Sequence, residues 1–373
     1  MAFMTVAHLI LVLVVLSPSS TATSFEQFGL KLYSTLGQNK KNENVFVSPI
    51  SISLAMSMCA VGARQETLNQ MLKSFEVSSS EQLIKTAEQI MNVFSIVNQD
   101  KQVQLKLANR LYAQKAYQLQ QEYLKIVQNS FKADIKLEDF EHESKQAGAW
   151  MKQFRNNLTD ENADFHEVNG KISKVKLMYQ KEKFSYDKND DLHIEIVDLP
   201  YRSENKDVEF VFTVILPNQG VQLDVIEQKL ASQPNLMKTL LNRQNMRTEL
   251  LHLYLPKFRM ESTFQLNDIL QQVGIKDAFI DYKANFSGIA SEEHNRDNLY
   301  ISKVIHKTFI DVNEQGSEAA AVTAVILDVR SAVFPPPRPI EFKADRPFLF
   351  FIRESRQNIV LFSGRFMSSP KSS

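Results

Sequence analysis

Residues 314–332 read EQGSEAAAVTAVILDVRSA, a run of small and β-branched side chains that ends near an arginine. At a period of two, one face of a strand would carry only uncharged side chains: Ser317, Ala319, Ala321, Thr323, Val325 and Leu327. Gly316, the alanines and the prolines at 335–337 also suit an extended, exposed loop. The stretch therefore predicts a segment that fits two states, loop and strand. An ordinary edge strand or surface loop is the simpler interpretation.

Helical patterns dominate the first half of the chain, and strand patterns dominate the second half. Apolar spacing predicts helices over 25–36, 49–63, 65–75, 81–97, 120–131, 223–230, 236–242 and 264–273. Alternation predicts strands over 103–114, 133–140, 252–260, 299–312, 340–352 and 358–366, and a hairpin of 192–201 with 208–218. The order shows no repeat and no regular alternation of strand and helix. The prediction is an α+β fold.

The N-terminus predicts a secreted protein. Residues Val6 to Leu16 form an apolar run that is too short to span a bilayer, and small polar residues follow it. We interpret residues 1–22 as a signal peptide and residues 23–373 as one domain. Two glycosylation sequons, at Asn157 and Asn285, agree with an extracellular location.

Composition and motifs exclude several classes of function. Lys+Arg and Asp+Glu balance at 43 each, which does not favour a partner that is nucleic acid or a membrane surface. The lone cysteine, Cys59, lies in an apolar helical pattern and is expected to be buried packing. His166-Glu167 is not followed by the second histidine of a zinc-protease helix, and no nucleophile elbow or phosphate-binding loop occurs. We expect no catalytic residues, no metal and no cofactor.

Several segments together resemble the serpin family of serine protease inhibitors. The stretch NEQGSEAAAVTA at 313–324 is similar to the serpin hinge motif. The other similar segments, in family order, are 45–63 (VFVSPISISLAMSMCAVGA), 107–114 (LANRLYAQ), 197–201 (VDLPY), 251–260 (LHLYLPKFRM), 342–352 (FKADRPFLFFI) and 361–366 (LFSGRF). The resemblance implies a serpin fold with helices early in the chain, three β-sheets and an exposed reactive loop at about 314–339.

The resemblance also implies a mechanism and a set of site residues. The hinge would comprise Glu314, Gly316, Ser317, Ala319, Ala320, Ala321 and Thr323. Family spacing places the cleaved bond at Arg330–Ser331, with Asp328 and Val329 beside it to shape selectivity. Arg330 would enter the acidic pocket of a trypsin-like protease, which would remain attached as a covalent acyl complex. The cut loop would then insert into the central sheet as an extra strand.

Simple dimensions agree with that mechanism. The fourteen residues from Ser317 to Arg330 would extend roughly 46 Å as a strand. A domain of this length is about 50 Å across. Full insertion would therefore carry an attached protease from one pole to the other. Small residues near the hinge matter because they must enter between strands that are already packed.

One region departs from the family pattern. Residues 141–173 contain no full-length amphipathic helix and no buried strand, where a serpin has a helix that crosses the central sheet and then a central strand. GAWMKQF at 148–154 resembles the end of that strand, so we expect an internal deletion near 145–150 of about three dozen residues, roughly one helix and one strand. The central sheet would be one strand short. Three explanations of the deletion stay open: an alternative splice product, a gene-model error and a true variant. In a true variant, the reactive loop could fill the gap in the sheet from the outset.

The sequence thus favours a secreted, monomeric inhibitor of trypsin-like serine proteases. A non-inhibitory carrier or binding protein of the same fold is the alternative, together with an inactive form that lacks a central strand. The alanine-rich hinge argues against a carrier, whereas the shortened centre argues for lost inhibition.

Overall fold

The computed structural model describes residues 20–97, 103–106, 111–112, 119–133, 135–136, 144–203, 208–290, 299–317 and 339–369. The helices in this part of the chain are α1 Ser20–Asn39, α2 Pro49–Gly62, α3 Gln65–Phe75, α4 Ser80–Val97, α5 Gln121–Ser130, α6 Leu223–Ser232, α7 Pro234–Leu240 and α8 Asn267–Gln272. The predicted helices are therefore confirmed with small shifts in their ends. The largest shift is at the start of α1, which begins at Ser20 instead of residue 25, whereas α8 begins at Asn267 because residues 264–265 belong to the preceding strand.

The described strands are β1 Val45–Val47, β2 Val103–Lys106, β3 Leu111–Tyr112, β4 Ile135–Lys136, β5 Ser144–Ala149, β6 Asp160–His166, β7 Ile172–Asn189, β8 Ile194–Pro200, β9 Phe210–Pro217, β10 Arg247–Gln265, β11 Ile305–Val312, β12 Gly316–Ser317, β13 Ile340–Lys343, β14 Phe348–Glu354 and β15 Ile359–Phe366. The predicted hairpin is confirmed, since β8 and β9 pair in antiparallel fashion from Ile194↔Pro217 to Pro200↔Val211.

The described strands form three sheets, two of which share the long strand β10. The large sheet has the order β1-β15-β14-β9-β8-β7-β10, with β6 paired to β7 and β13 running parallel to β10. The second sheet, which we call the central sheet, has the order β10-β11-β12-β5-β2. The third is the short parallel pair β3–β4. The expected α+β architecture with three sheets is therefore present in the described residues.

Aromatic side chains fill the interior of the large sheet. Phe350 stacks on Phe46 and Phe212, with ring centroids 5.7 Å and 5.3 Å apart. Phe348 and Phe366, on neighbouring strands, stack at 5.4 Å. All five rings are almost completely buried, and each burial contributes about 2–3 kcal/mol of apolar transfer free energy. The stacked rings join β1, β9, β14 and β15 in one packed core.

Helix α2 is buried along nearly its whole length and packs against α1, α4 and strand β15 of the large sheet. Its start follows the expected signals: the Ser48 side chain accepts a hydrogen bond from the Ser51 N–H, and Pro49 occupies the first turn. Cys59 lies inside this helix and is buried, as predicted, and burial raises its thiol pKa to about 12. Such a thiol remains protonated and unreactive at neutral pH.

Strand β5 corrects the prediction that the central sheet is one strand short. Its six residues pair antiparallel with β2, from Val103↔Gly148 to Lys106↔Lys145, and parallel with β11 at Thr308↔Ser144 and Phe309↔Lys145. The sequence Ser-Lys-Gln-Ala-Gly-Ala has no β-branched or aromatic residue, so its pattern gave no strand signal. It forms a strand because β2 and β11 offer backbone donors and acceptors that any chain between them can satisfy.

Two further features of this region bear on the predictions. Strand β6, which also lies within 141–173, was not predicted; its burial alternates only in its second half. The crossing helix was expected to be missing from 141–173. The described part of that range, 144–173, holds β5, a short 3₁₀ helix at Asn156–Leu158, β6 and the start of β7, and residues 141–143 lie outside the described residues. Within the described ranges, no helix combines the length and apolar character needed to cross a membrane.

Candidate functional site

The predicted site divides into a described part and a part beyond the described residues. Glu314, Gly316 and Ser317 are described and lie where β11 ends beside β5. The remaining predicted site residues lie outside the described ranges: Ala319, Ala320, Ala321, Thr323, Asp328, Val329, Arg330 and Ser331. We call residues 313–317 the hinge.

Gly316 occupies a position that only glycine fits. It pairs with Ala149 of β5, and a Cβ built on it would lie 2.0 Å from the Gly148 carbonyl oxygen and 2.8 Å from the Ala149 Cα. Both contacts are with backbone, which cannot rotate away as a flexible side chain would. The glycine therefore allows the hinge to approach β5 closely enough to form a ladder.

Ser317 is already a strand residue between two others. It pairs with Val312 of β11 on one side and with Gly148 of β5 on the other. The side chain is fully buried, and its Oγ donates to the Tyr201 hydroxyl at 2.9 Å. A larger side chain here would displace Tyr201, which itself contacts Gly148. The packing at this position thus requires a small residue.

Glu314 holds the root of the hinge through a buried carboxylate that is 6% exposed. The Lys257 ammonium lies 2.8 Å from Oε2, and the Thr159 hydroxyl donates to Oε1 at 2.9 Å. Burial raises the pKa of this carboxyl, but the hydrogen bonds from Lys257, the backbone and Thr159 outweigh burial and hold the pKa below its ordinary value. The group is therefore charged at neutral pH, and three segments of chain meet at it.

Trp150, the chain's single tryptophan, binds the hinge backbone from the end of β5. Its backbone N–H donates to the Gln315 carbonyl and its indole Nε1–H to the Asn313 carbonyl, both at 2.9 Å. The Phe154 N–H donates to the Glu314 carbonyl at 2.9 Å. Three successive hinge carbonyls are thus bound by the segment that follows β5. The indole stacks on Tyr201 with centroids 4.8 Å apart, which fixes its orientation.

The hinge lies at one end of a seam between β11 and β5. Beyond Ser317 the two strands pair directly with each other at Thr308↔Ser144 and Phe309↔Lys145. A loop that continued to insert after Ser317 would have to separate these pairs and replace their hydrogen bonds with its own. The site can thus accept an inserted strand. The direct hydrogen bonds between β11 and β5 would be lost, and the new strand would form one ladder with each of them.

Two buried side chains near the start of β11 form hydrogen bonds with the backbone of β1 and of the residue that follows it. His306 Nε2 accepts a hydrogen bond from the Ser48 N–H at 2.9 Å, and the Thr308 hydroxyl donates to the Phe46 carbonyl at 2.6 Å. Burial lowers the His306 pKa to about 4, so the ring is neutral and can act as an acceptor at neutral pH. His306 is therefore a buried histidine whose ring nitrogen Nε2 has a hydrogen-bond partner.

The two sequon asparagines differ in environment. Asn157 is exposed in a short 3₁₀ helix, and the Thr159 of its sequon is the residue that donates to Glu314. Asn285 is half-buried, and its Oδ1 accepts hydrogen bonds from both the N–H and the hydroxyl of Ser287. The structure thus offers Asn157 more freely to a glycosylating enzyme.

Four functional residues were not singled out by the sequence: Thr159, Trp150, Tyr201 and Lys257. Each contacts the hinge from a distant part of the chain, and Lys257 is 57 positions from Glu314. Trp150 was the one with a usable signal, because it closes the GAW segment that resembles the end of a central strand. The pairing partners themselves are set by the tertiary fold and leave no local pattern.

Comparison with known proteins agrees with this geometry. The family model described as Serpin (serine protease inhibitor) matches residues 23–148 and 146–369. The two matched parts meet at 146–148, inside β5. Human leukocyte elastase inhibitor is 33% identical to this chain over 388 residues, which covers 92% of this chain and 97% of the relative. That alignment is longer than the 373-residue chain, so the relative contains residues that have no counterpart here.

Solved structures show the same fold. The thermophilic serpin tengpin, in its native state, is 26% identical, covers 93% of this chain and 94% of its own, and superposes with a TM-score of 0.77. Human thyroxine-binding globulin, solved with thyroxine bound, is 19% identical and covers 94% of this chain and 100% of its own, with a TM-score of 0.78. At that identity the second likeness is one of fold alone.

Proposed function

We propose that this chain, which belongs to the serpin family, is a secreted inhibitor of trypsin-like serine proteases that is cleaved at Arg330–Ser331. The observation that carries the proposal is the position of β12. The first loop residues, Gly316 and Ser317, already pair as a strand between β11 and β5. A loop that begins inside the sheet has a defined path along which the rest can follow.

The proposed reaction stops halfway through proteolysis. The protease serine Oγ attacks the Arg330 carbonyl carbon and passes its proton through the catalytic histidine to the leaving nitrogen. The Arg330–Ser331 peptide bond breaks, Ser331 leaves with a free amino group, and Arg330 remains attached to the protease as an ester. The released loop then continues from Ser317 into the seam between β11 and β5. Each new ladder bond contributes about 1 kcal/mol, and the movement distorts the attached active site before water can hydrolyse the ester.

Arg330 supports trypsin-like proteases as the target class. An arginine side chain at the cleaved bond complements the acidic pocket of these enzymes, whereas an elastase pocket accepts small side chains. The relative at 33% identity is named for elastase, but that name describes the relative's own target. Asp328 and Val329 are adjacent to Arg330 in sequence and would contact the neighbouring subsites.

The proposal of secretion rests on the sequence. The apolar run from Val6 to Leu16 and the small polar residues after it are typical of a signal peptide. The exposed position of Asn157 supports modification there in an extracellular protein. N-terminal sequencing of the protein from a culture medium would test this: a start near Thr23 agrees, and retention in the cell disagrees.

One observation favours a second candidate function, that of a protease substrate which fails to hold its target. Strand β5 has six residues and no β-branched side chain. In the described residues, it pairs with β11 at two register positions. An inserting loop would find a short partner on that side. The insertion could then be too weak or too slow to distort the protease before the ester is hydrolysed.

Incubation with active trypsin separates these candidates. We expect an adduct that survives boiling in SDS and has the combined mass of the protease and this chain up to Arg330, with a released fragment that begins at Ser331. Cleavage at the same bond without an adduct would assign the substrate function. Cleavage elsewhere, or no cleavage, would overturn the proposal, and trypsin with a blocked active-site serine is the control.

A further inference from the structure

A polar cavity is lined by strands β7 to β10 and by residues next to them. Its volume is about 130 Å³, which is enough for several water molecules or one small ligand. Most of the lining residues are polar or charged. Two of them, Lys183 and Arg243, are exposed, so the cavity opens to solvent. A ligand that fits here would be small and polar.

One wall of the cavity is a row of polar side chains across the sheet. Ser185 of β7 is the register partner of Thr248 on β10 and of Asp198 on β8. Register partners on neighbouring antiparallel strands lie on the same face of a sheet. All three residues line the cavity. This wall therefore carries two hydroxyl groups and one carboxylate.

Both carboxylates of the cavity are already paired with arginines. The Asp198 carboxylate accepts hydrogen bonds from the Thr213 hydroxyl at 2.5 Å and from Arg353 Nη2 at 2.6 Å. Arg353 is completely buried, so this pair is closed to solvent ions. The second carboxylate, that of Glu209, forms an ion pair with Arg243. A metal ion or an amine would have to compete with these arginines, so the cavity does not favour a cation.

Two other groups of the cavity still have bonding capacity. Ser355 is 5% exposed, and its hydroxyl has no hydrogen-bond partner in the described part of the chain. Its backbone N–H donates to the Glu209 carbonyl at 2.8 Å, which fixes the residue beside the cavity. The Lys183 ammonium forms no ion pair within the described ranges. Because an arginine matches each carboxylate, Lys183 gives the cavity one net positive charge, and the buried hydroxyl would be stabilised by a ligand oxygen.

We propose that this cavity binds a small tetrahedral oxyanion, phosphate or sulfate, either as the free inorganic ion or as the terminal group of a small ester. The Lys183 ammonium would balance its charge. The hydroxyls of Ser185, Thr248 and Ser355 would donate to its oxygens from three different segments. Lysine binds such anions as a point charge, whereas a planar carboxylate is better matched by the paired N–H groups of an arginine, and Arg243 already has a carboxylate partner.

Calorimetric titration of the intact protein with inorganic phosphate tests the proposal. At an ionic strength held constant with sodium chloride, we expect saturable binding. Ser355→Ala should weaken this binding about tenfold, because it removes a hydrogen bond to a charged ligand. Ser53→Ala is the matched control: Ser53 is also a buried serine whose hydroxyl has no partner in the described residues, but it lies in α2, away from the cavity lining. Absence of saturable binding, or equal weakening in the two variants, would overturn the proposal.

Lys183→Gln provides a test at an exposed position, where the substitution does not disturb the core. It should also weaken phosphate binding about tenfold, since it removes the charge that balances the anion. Lys125→Gln, at an exposed position of α5, is the control for the change in net charge. Phosphate should also raise the melting temperature of the unsubstituted protein and of both controls more than that of Lys183→Gln. The same rise in all of these proteins would contradict the proposal.

Three further ligands define the chemistry of the site. Tighter binding of glycerol phosphate than of inorganic phosphate would assign the site to an ester, and the reverse order would assign it to the free ion. Sulfate should bind within about tenfold of phosphate, whereas acetate should bind at least about tenfold more weakly. Acetate that binds as tightly as phosphate would contradict a tetrahedral site. No protease enters these measurements, so their outcome is independent of the proposed function.

Discussion

The Lys257 ammonium and the Glu314 carboxylate lie 2.8 Å apart where β11 ends at the hinge. Glu314 is the more buried partner, and the Thr159 hydroxyl binds its other oxygen. This pair joins β10 to the root of the loop. The two contacts therefore fix the backbone at the end of β11, which is the point from which the proposed insertion would start.

Lys257→Met should destabilise the hinge because it leaves the Glu314 carboxylate buried without its cation. We expect the free energy of unfolding to fall by about 2 kcal/mol, measured in urea at pH 7. Lys152→Met is the matched control, since Lys152 pairs with Glu182 where both side chains are more than two-fifths exposed. That control should unfold like the unsubstituted protein. Equal losses of unfolding free energy in the two variants would show that the buried pair stabilises the protein no more than the exposed pair does.

Gly316→Ala should expel the hinge from the sheet. The new Cβ would overlap the Gly148 carbonyl oxygen, and neither backbone can yield without breaking the ladder. We expect faster amide hydrogen exchange at residues 148–150 and 316–317, and easier cutting near the hinge by a nonspecific protease. Gly37→Ala in α1 is the control, because the three atoms nearest its Cβ belong to the side chains of Arg365 and Glu227, at 3.1–3.7 Å, and none of the three is a backbone atom. Unchanged exchange in Gly316→Ala would contradict the assigned position of β12.

Much of the hinge could be predicted from the sequence, because its own residues carry the signal. Gly316 and Ser317 are small where packing requires small residues, and the alternation after them predicts a possible strand. Strand β5 could not be predicted, since its polar residues become a strand only through the open edges of β2 and β11. Thr159, 155 positions from Glu314, could be recognised as part of a sequon but not as a hinge ligand.

Arg330→Phe should exchange one target class for another. The phenylalanine cannot pair with the acidic residue of a trypsin pocket but fits the hydrophobic pocket of chymotrypsin. We expect the rate of adduct formation with trypsin to fall by at least about a hundredfold and adduct formation with chymotrypsin to appear. Arg338→Ala, which changes another arginine of the same loop, should leave the trypsin rate within about twofold. Loss of trypsin inhibition in Arg338→Ala alone would move the cleaved bond away from Arg330.

Stability should fall at acidic pH through His306. Its pKa is about 4 in the folded protein because of burial, against 6.5 for an exposed histidine. As pH falls, the unfolded chain therefore binds the proton first, so the stability is complete above about pH 6.5 and is lost progressively towards pH 4. Protonation would also break the hydrogen bond that the ring accepts from Ser48.

The expected loss from His306 is on the order of 3 kcal/mol across that window. His306→Gln should be less stable at pH 7 but should show a flatter dependence between pH 6.5 and 4, measured by urea unfolding at each pH. His166→Gln, at an exposed position of β6, is the control and should show the same pH dependence of the free energy of unfolding as the unsubstituted protein. If the free energy of unfolding of His306→Gln still falls steeply between pH 6.5 and 4, other groups cause that pH dependence.

The proposed inhibitory function depends most on the loop becoming a strand once it is cut. The measurement is the melting temperature of the intact chain and of the chain cleaved at Arg330–Ser331, with Trp150 fluorescence as the probe because the indole contacts the hinge directly. We expect a higher melting temperature after cleavage, since the freed loop would add ladder bonds between β11 and β5. A cleaved protein that melts at or below the temperature of the intact one would contradict it.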